Sequence, residues 1–94
     1  MKFYFCRVYD GAFYHSGCTL HTLEDRILVK FLFTTYWDIP HSSITQVLLT
    51  KGVIRIEYEN EKGASYIEVL TAFTLSNDKL KCELEKICKL LPEH

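Results

Sequence analysis

The stretch WDIPHSSITQV, residues 37–47, decides how this chain folds, because it separates two strand-rich segments in the middle of the sequence. Pro40 cannot donate a hydrogen bond to a sheet, and it pushes the residue before it toward extended geometry. Ser42 and Ser43 can turn the backbone by bonding to nearby main-chain groups. Ile44 then offers an apolar anchor for a new strand. We therefore expect this segment, called the joint below, to end one sheet and begin the next.

Alternating apolar and polar residues on both sides of the joint predict antiparallel strands. The strands expected before the joint are residues 3–9, 12–15, 18–23 and 27–33. Those expected after it are residues 44–49, 53–58 and 65–70. The side chains expected to point inward on the last two strands are Ile54, Ile56, Tyr58, Ile67 and Val69.

After these strands, the periodicity changes to that of a helix of about residues 77–91. Ser76 is the expected N-cap, with Leu75 and Leu80 as a hydrophobic staple, and Pro92 ends the helix. The expected apolar stripe comprises Leu80, Leu84, Ile87 and Leu91. On the polar side, the spacing i, i+4 predicts a contact between Lys81 and Glu85.

The composition predicts one globular domain, residues 1–94, with 48% hydrophobic and 14% aromatic residues. A formal net charge of -1 gives no general attraction for nucleic acid or for an anionic membrane. The longest apolar runs are far shorter than the ~18 residues of a membrane-spanning helix. Neither nucleic acid nor a membrane span is therefore expected.

Four cysteines, Cys6, Cys18, Cys82 and Cys88, are enough for a disulfide framework. The start MKFYFCRVYDG is interrupted by Arg7 and Asp10 and no long apolar run follows, so it does not resemble a signal peptide. We expect a cytoplasmic protein with four reduced thiols. Cys82 and Cys88 point in different directions on a helix, whereas Cys6 or Cys18 could meet a helix cysteine across the core.

Three segments of the chain resemble the pleckstrin-homology-like (PH-like) fold, in particular the small bacterial PH-like and GRAM-like domains. They are TLHTLEDRILV at residues 19–29, IPHSSITQV at 39–47 and VIRIEY at 53–58. With the terminal helix, the resemblance covers roughly residues 12–91. It implies an α+β domain in which an antiparallel sheet of six or seven strands bends into a sandwich or half-open barrel, with one C-terminal helix packed against it.

The resemblance also implies a binding scaffold rather than a reaction. Eukaryotic domains of this kind often hold phosphoinositides through basic residues in the loop after the first strand. The candidate loops here contain Asp10-Gly11 and Glu24-Asp25-Arg26, which do not provide the convergent positive charge that a phosphate needs. Binding to a membrane surface is therefore not expected.

The spacing His15-x-x-Cys18-x-x-His21 brings together two residue types that ligate zinc. On an extended strand, however, residues three apart lie on opposite faces, so the three side chains cannot converge. We expect no metal and no cofactor. A nucleophilic cysteine paired with a histidine stays as a third alternative, although no activating turn surrounds any cysteine.

The aromatic residues outnumber what one small barrel can bury, which predicts an exposed patch. The candidate interface residues are Phe3, Tyr4, Phe5, Tyr9, Phe13 and Tyr14. We expect the first strand to lie at a sheet edge and to form a two-fold dimer through residues 3–14, so that Tyr4→Glu gives a folded monomer. The favoured function is non-catalytic protein–protein binding that includes self-association. The alternative is recognition of a small ligand or lipid at the barrel mouth.

Overall fold

The computed structural model describes residues 2–50, 52–72 and 74–90. In this range the chain forms seven β-strands, a short 3-10 helix at His41–Ser43, and one α-helix, α1, at Thr74–Leu90. The strands are β1 (Lys2–Tyr9), β2 (Tyr14–Thr22), β3 (Arg26–Phe31), β4 (Thr34–Pro40), β5 (Ile44–Thr50), β6 (Val53–Asn60) and β7 (Gly63–Thr71).

All seven strands belong to one antiparallel sheet in the order β4-β3-β2-β1-β7-β6-β5. The joint connects β4 to β5, which are the two end strands of this order. The expectation that the joint separates two sheets is therefore wrong, since it links the two edges of a single unclosed sheet. The α+β fold, a PH-like sandwich or half-open barrel with one C-terminal helix, is confirmed.

The joint turns as its sequence predicts. Pro40 ends β4 in extended geometry, with φ -60° and ψ 143°, and the 3-10 helix follows directly. Ser43 Oγ donates a hydrogen bond to the Pro40 carbonyl oxygen at 2.8 Å. The backbone N–H of His41 donates to the carbonyl oxygen of Asp25 at 2.8 Å. The joint is thereby fixed to the turn between β2 and β3.

The largest differences from the expected strands are in β2 and β3: the strands expected at residues 12–15 and 18–23 form the single strand β2. β2 is one strand that includes Gly17, at φ 75°, where the register against β1 shifts and β2 holds one extra residue. β3 ends at Phe31 rather than at residue 33, because Leu32 adopts φ 56° and turns the chain. Phe33 lies fully exposed in that turn, at 102%. The following strand, β4, was missing from the expectation.

One face of the sheet, the inner face, carries the core together with the helix. The buried apolar residues are Tyr4, Cys6, Val8, Cys18, Leu20, Ile27, Val29, Ile39, Ile44, Ile54, Ile56, Tyr58, Ile67, Val69, Leu80 and Leu84. The five inward side chains expected on β6 and β7 are all among them, so their assignment is confirmed.

The helix begins earlier than expected, at Thr74, so Ser76 lies inside its first turn and is not the N-cap. The staple at Leu75 and the end of the stripe at Leu91 lie outside the described side chains. Leu80 and Leu84 are fully buried, and Lys81 Nζ lies 3.4 Å from Glu85 Oε1 as the spacing predicts.

At the start of α1, the side-chain amide of the buried Asn77 donates to the Gly52 carbonyl oxygen at 2.8 Å. This bond ties the helix to the turn between β5 and β6. The helix of the described chain lacks the length and the apolar character needed to cross a lipid bilayer.

Candidate interaction surface

The first strand lies at the centre of the sheet, between β2 and β7. Its alternation is the expected one, with Tyr4, Cys6 and Val8 buried on the inner face. β1 is paired with β2 along its length, and residues 6–9 are also paired with β7 on the other side. The expectation that β1 is an edge strand is wrong, because a second copy cannot add a strand where both sides are already paired.

The outer face of the sheet carries an exposed aromatic surface where β1, β2 and β7 meet. Phe3, Phe5 and Tyr14 expose 54%, 59% and 60% of their surface. The rings of Phe3 and Phe5 meet edge to face, with centroids 5.7 Å apart. Tyr9 lies opposite Tyr14 in the β1–β2 register. We call the set Phe3, Phe5, Tyr9, Tyr14 and Leu70 the aromatic face.

Two grooves make the aromatic face concave. One, of about 380 Å³, is lined by Phe5, Cys6, Arg7, Gly17, Leu70, Thr71 and Ala72. The other, of about 250 Å³, is lined by Arg7, Tyr9, Tyr14, Val53, Glu68 and Leu70. Arg7 and Leu70 line both grooves. The second groove is mainly apolar, whereas polar and apolar atoms contribute about equally to the first. Concave surface of this kind can bury side chains from a protein partner.

The turn between β1 and β2 holds one end of the aromatic face in place. Asp10 Oδ1 accepts hydrogen bonds from the backbone N–H groups of Phe13, at 2.7 Å, and Ala12, at 3.0 Å. These donors lower the pKa of Asp10 below its usual value, the Phe13 amide most of all. Gly11 has φ 96°, and a Cβ there would lie 2.9 Å from the Tyr66 hydroxyl oxygen. Only glycine therefore fits at this point of the turn.

Tyr4 is not part of the exposed surface, so the expectation for it is wrong. It is 8% exposed, and its hydroxyl donates to Glu83 Oε1 on α1 at 2.8 Å. Thr22 Oγ1 donates to the other oxygen of the same carboxylate at 2.9 Å. Burial and the Glu83 carboxylate raise the pKa of Tyr4. Tyr4 therefore joins β1 to the helix inside the core.

Phe13 is exposed but belongs to a second aromatic cluster, at one end of the inner face. Its ring centroid lies 6.3 Å from that of His15, which in turn lies 5.3 Å from Tyr36 and 5.4 Å from Trp37. His15 is directly opposite the buried Val8, so it shares the inner face. This cluster was not predictable from the sequence, because it depends on β4 and on the bulge in β2.

Cys6 and Cys18 lie directly opposite each other on β1 and β2, and both are buried free thiols. Burial, with the neighbouring Cys18, raises the pKa of Cys6 from 9.0 to about 12. Burial also raises the pKa of Cys18. A protonated thiol is a poor nucleophile. Cys82 is exposed, and the side chain of Cys88 lies outside the described part, so a contact between a strand cysteine and Cys88 stays a prediction.

The three residues of the suggested metal motif do not converge. Cys18 is buried in the core, whereas His21 Nε2 lies 3.0 Å from Thr19 Oγ1 and its ring stacks on Phe3 with centroids 5.9 Å apart. Burial lowers the pKa of His21, and the charge of Lys30 adds to this. Among the described residues, no group of three histidine, cysteine or acidic side chains could hold a metal ion.

The fold and this surface define a class of protein: an α+β domain of the PH-like half-barrel type with an exposed aromatic outer face. No protein-family model matches the chain, and neither a curated protein nor a solved structure matches it significantly.

Proposed function

We propose that this protein is a non-catalytic binding module that acts in the cytoplasm and binds protein through its aromatic face, including a second copy of itself. The observation that carries the proposal is the exposure of Phe3, Phe5 and Tyr14 on the outer face of an antiparallel sheet. Such a face is normally polar when it meets water. An apolar patch retained there is typical of a surface that another chain covers.

The size of the aromatic face supports a small, specific interface. Its five side chains expose roughly 500 Å² in total, taking ~200 Å² for one complete aromatic side chain. Two copies packed face to face would bury roughly 1,000 Å², which reaches the lower limit for a specific contact. We therefore expect a dimer that dissociates at roughly micromolar concentration.

The chemistry of the surface supports binding rather than catalysis. The grooves combine aromatic and aliphatic side chains with one guanidinium, that of Arg7, and one carboxylate, that of Glu68. Cys6 lines the first groove and lies opposite Cys18. Both thiols have raised pKa values and stay protonated at neutral pH. The proposal keeps the resemblance to small PH-like binding modules, supported by the unclosed seven-stranded sheet with its single helix.

Phe5→Glu is the variant that tests this proposal, since Phe5 is exposed and lines the first groove. Phe33→Glu is the matched control, because Phe33 is also an exposed phenylalanine and lies in the β3–β4 turn, away from the aromatic face. Light scattering over a micromolar concentration range should give wild type and Phe33→Glu an average mass that rises from 11 kDa toward twice that value with concentration. Phe5→Glu should stay at 11 kDa with an unchanged circular dichroism spectrum.

Two results would contradict the proposal. Wild-type protein that scatters as an 11 kDa monomer at every concentration would remove self-association. A dimer that both glutamate variants retain would show that the aromatic face is not the contact.

A further inference from the structure

Two opposite charges lie side by side within the apolar surroundings of the aromatic face. In the β1–β7 register, Arg7 is opposite Leu70 and Tyr9 is opposite Glu68. Arg7 and Glu68 are therefore diagonal neighbours on the outer face, a relation that separates backbone positions by about 7–8 Å. Both side chains line the same groove of about 250 Å³.

Among the residues that the structure describes, no ion pair includes Arg7 or Glu68. Arg55 is directly opposite Glu68 on β6, but its Nε lies 3.1 Å from Glu57 Oε2. The same guanidinium stacks over the Tyr66 ring, 3.8 Å from its centroid. Arg55 is thus engaged elsewhere, and Glu68 keeps an available carboxylate.

One exposed cation beside one anion is a self-complementary pattern. Two copies can face each other across a two-fold axis that lies between their sheets. This axis runs perpendicular to the line from Arg7 to Glu68 and passes over the midpoint of that line. It places Arg7 of each copy over Glu68 of the other, so one symmetry operation satisfies both charges twice. A partner with a single sign of charge would leave either Arg7 or Glu68 facing a like charge or an apolar surface, which costs affinity.

We propose that a second copy of this chain docks on the aromatic face through two reciprocal Arg7–Glu68 ion pairs. This inference rests on the proposed self-association and adds to it the geometry of the dimer. The apolar side chains supply most of the buried area, and the two ion pairs fix the register of one sheet on the other. The net charge of -1 offers little repulsion between copies.

Charge reversal with rescue tests the geometry. Arg7→Glu and Glu68→Arg each place two pairs of like charges in contact across the dimer, so each should weaken dimerisation at least ~tenfold in sedimentation equilibrium. The double variant Arg7→Glu/Glu68→Arg restores opposite charges and should return the dissociation constant to within a few-fold of wild type. Lys79→Glu reverses a positive charge at an exposed position of the helix and is the control. It should leave the dissociation constant unchanged.

The outcomes separate this inference from the proposed function. Suppose that the Phe5→Glu variant is monomeric while the wild type dimerises, but the double variant dimerises no more tightly than the single reversals. The reciprocal pairs are then wrong and self-association stands. Single reversals that leave the dissociation constant unchanged would overturn the pairs in the same way. A wild type that stays monomeric overturns both statements, and a different protein would then be the occupant of the face. Circular dichroism of each variant shows whether the fold is intact.

Discussion

Tyr4 connects the first strand to the helix through a hydrogen bond between residues far apart in sequence. Its hydroxyl donates to Glu83 at 2.8 Å, and the ring is buried. A hydrogen bond to a charged acceptor contributes about 1.5–3 kcal/mol. We predict that Tyr4→Phe lowers the free energy of unfolding by about 1–3 kcal/mol. Urea denaturation followed by circular dichroism measures the change, and the exposed Tyr14→Phe serves as the control that should show none.

Because of the same contact, we predict that Tyr4→Glu does not give the folded monomer expected of a surface substitution. It would place a carboxylate inside the core beside the carboxylate of Glu83, where like charges cannot separate into water. The helix should detach or the chain should unfold. A folded Tyr4→Glu protein with wild-type stability would show that Tyr4 lies on the surface after all.

Cys6 predicts how stability changes with pH. Its pKa in the folded protein is raised from 9.0 to about 12, so the folded state holds the thiol proton more tightly than the unfolded state does. The contribution of the protonated Cys6 thiol to the free energy of unfolding is complete below pH 9 and is lost as pH rises toward 12. We predict that the free energy of unfolding falls over this window and that Cys6→Val makes the fall shallower. Equal slopes for the two proteins would contradict the assignment to Cys6.

At the scale of elements, the local sequence pattern predicted a strand or helix correctly where alternation or helical spacing alone determines it. The strands β6 and β7 and the stripe through Leu80 and Leu84 were predictable, because each face meets a uniform environment. β4 was not predictable, since Leu32 takes a left-handed conformation that residues other than glycine rarely adopt. The bulge at Gly17 was missed for a related reason: an extra residue in β2 depends on its partner strand.

The docking of α1 rests on few side chains, which makes it testable. Leu84 is fully buried in the core shared with the inner face of the sheet. We predict that Leu84→Ala lowers the free energy of unfolding by about 2–4 kcal/mol, from lost burial and the cavity left behind. The denaturation midpoint measures this, with Cys82→Ala on an exposed position of the same helix as the control. A midpoint equal to that of the control would mean that the helix is not docked.

At the scale of the whole molecule, the strand order changes the meaning of the first strand. β1 is central because β7 returns to pair with it, as in the contact between Val8 and Val69. No local pattern predicts a pairing between residues so far apart in sequence, so the sequence suggested an edge. With residues 6–9 of β1 paired on both sides, the exposed aromatic side chains of this strand lie on the outer face. Four of the six expected interface residues lie there: Phe3, Phe5, Tyr9 and Tyr14.

Association through this face also predicts a thermal behaviour that belongs to the whole molecule. A partner that binds only the folded state stabilises it by mass action, so the melting temperature of a dimer depends on concentration. We predict that Tm of the wild type rises as its concentration increases through the micromolar range. Phe5→Glu should melt at the same temperature throughout, because its aromatic face no longer accepts a second copy, whereas Phe33→Glu should follow the wild type. A wild-type Tm that is constant across this range, measured by differential scanning calorimetry, would mean that folding and self-association are not coupled, and the dimer would have to be abandoned as a feature of the native fold.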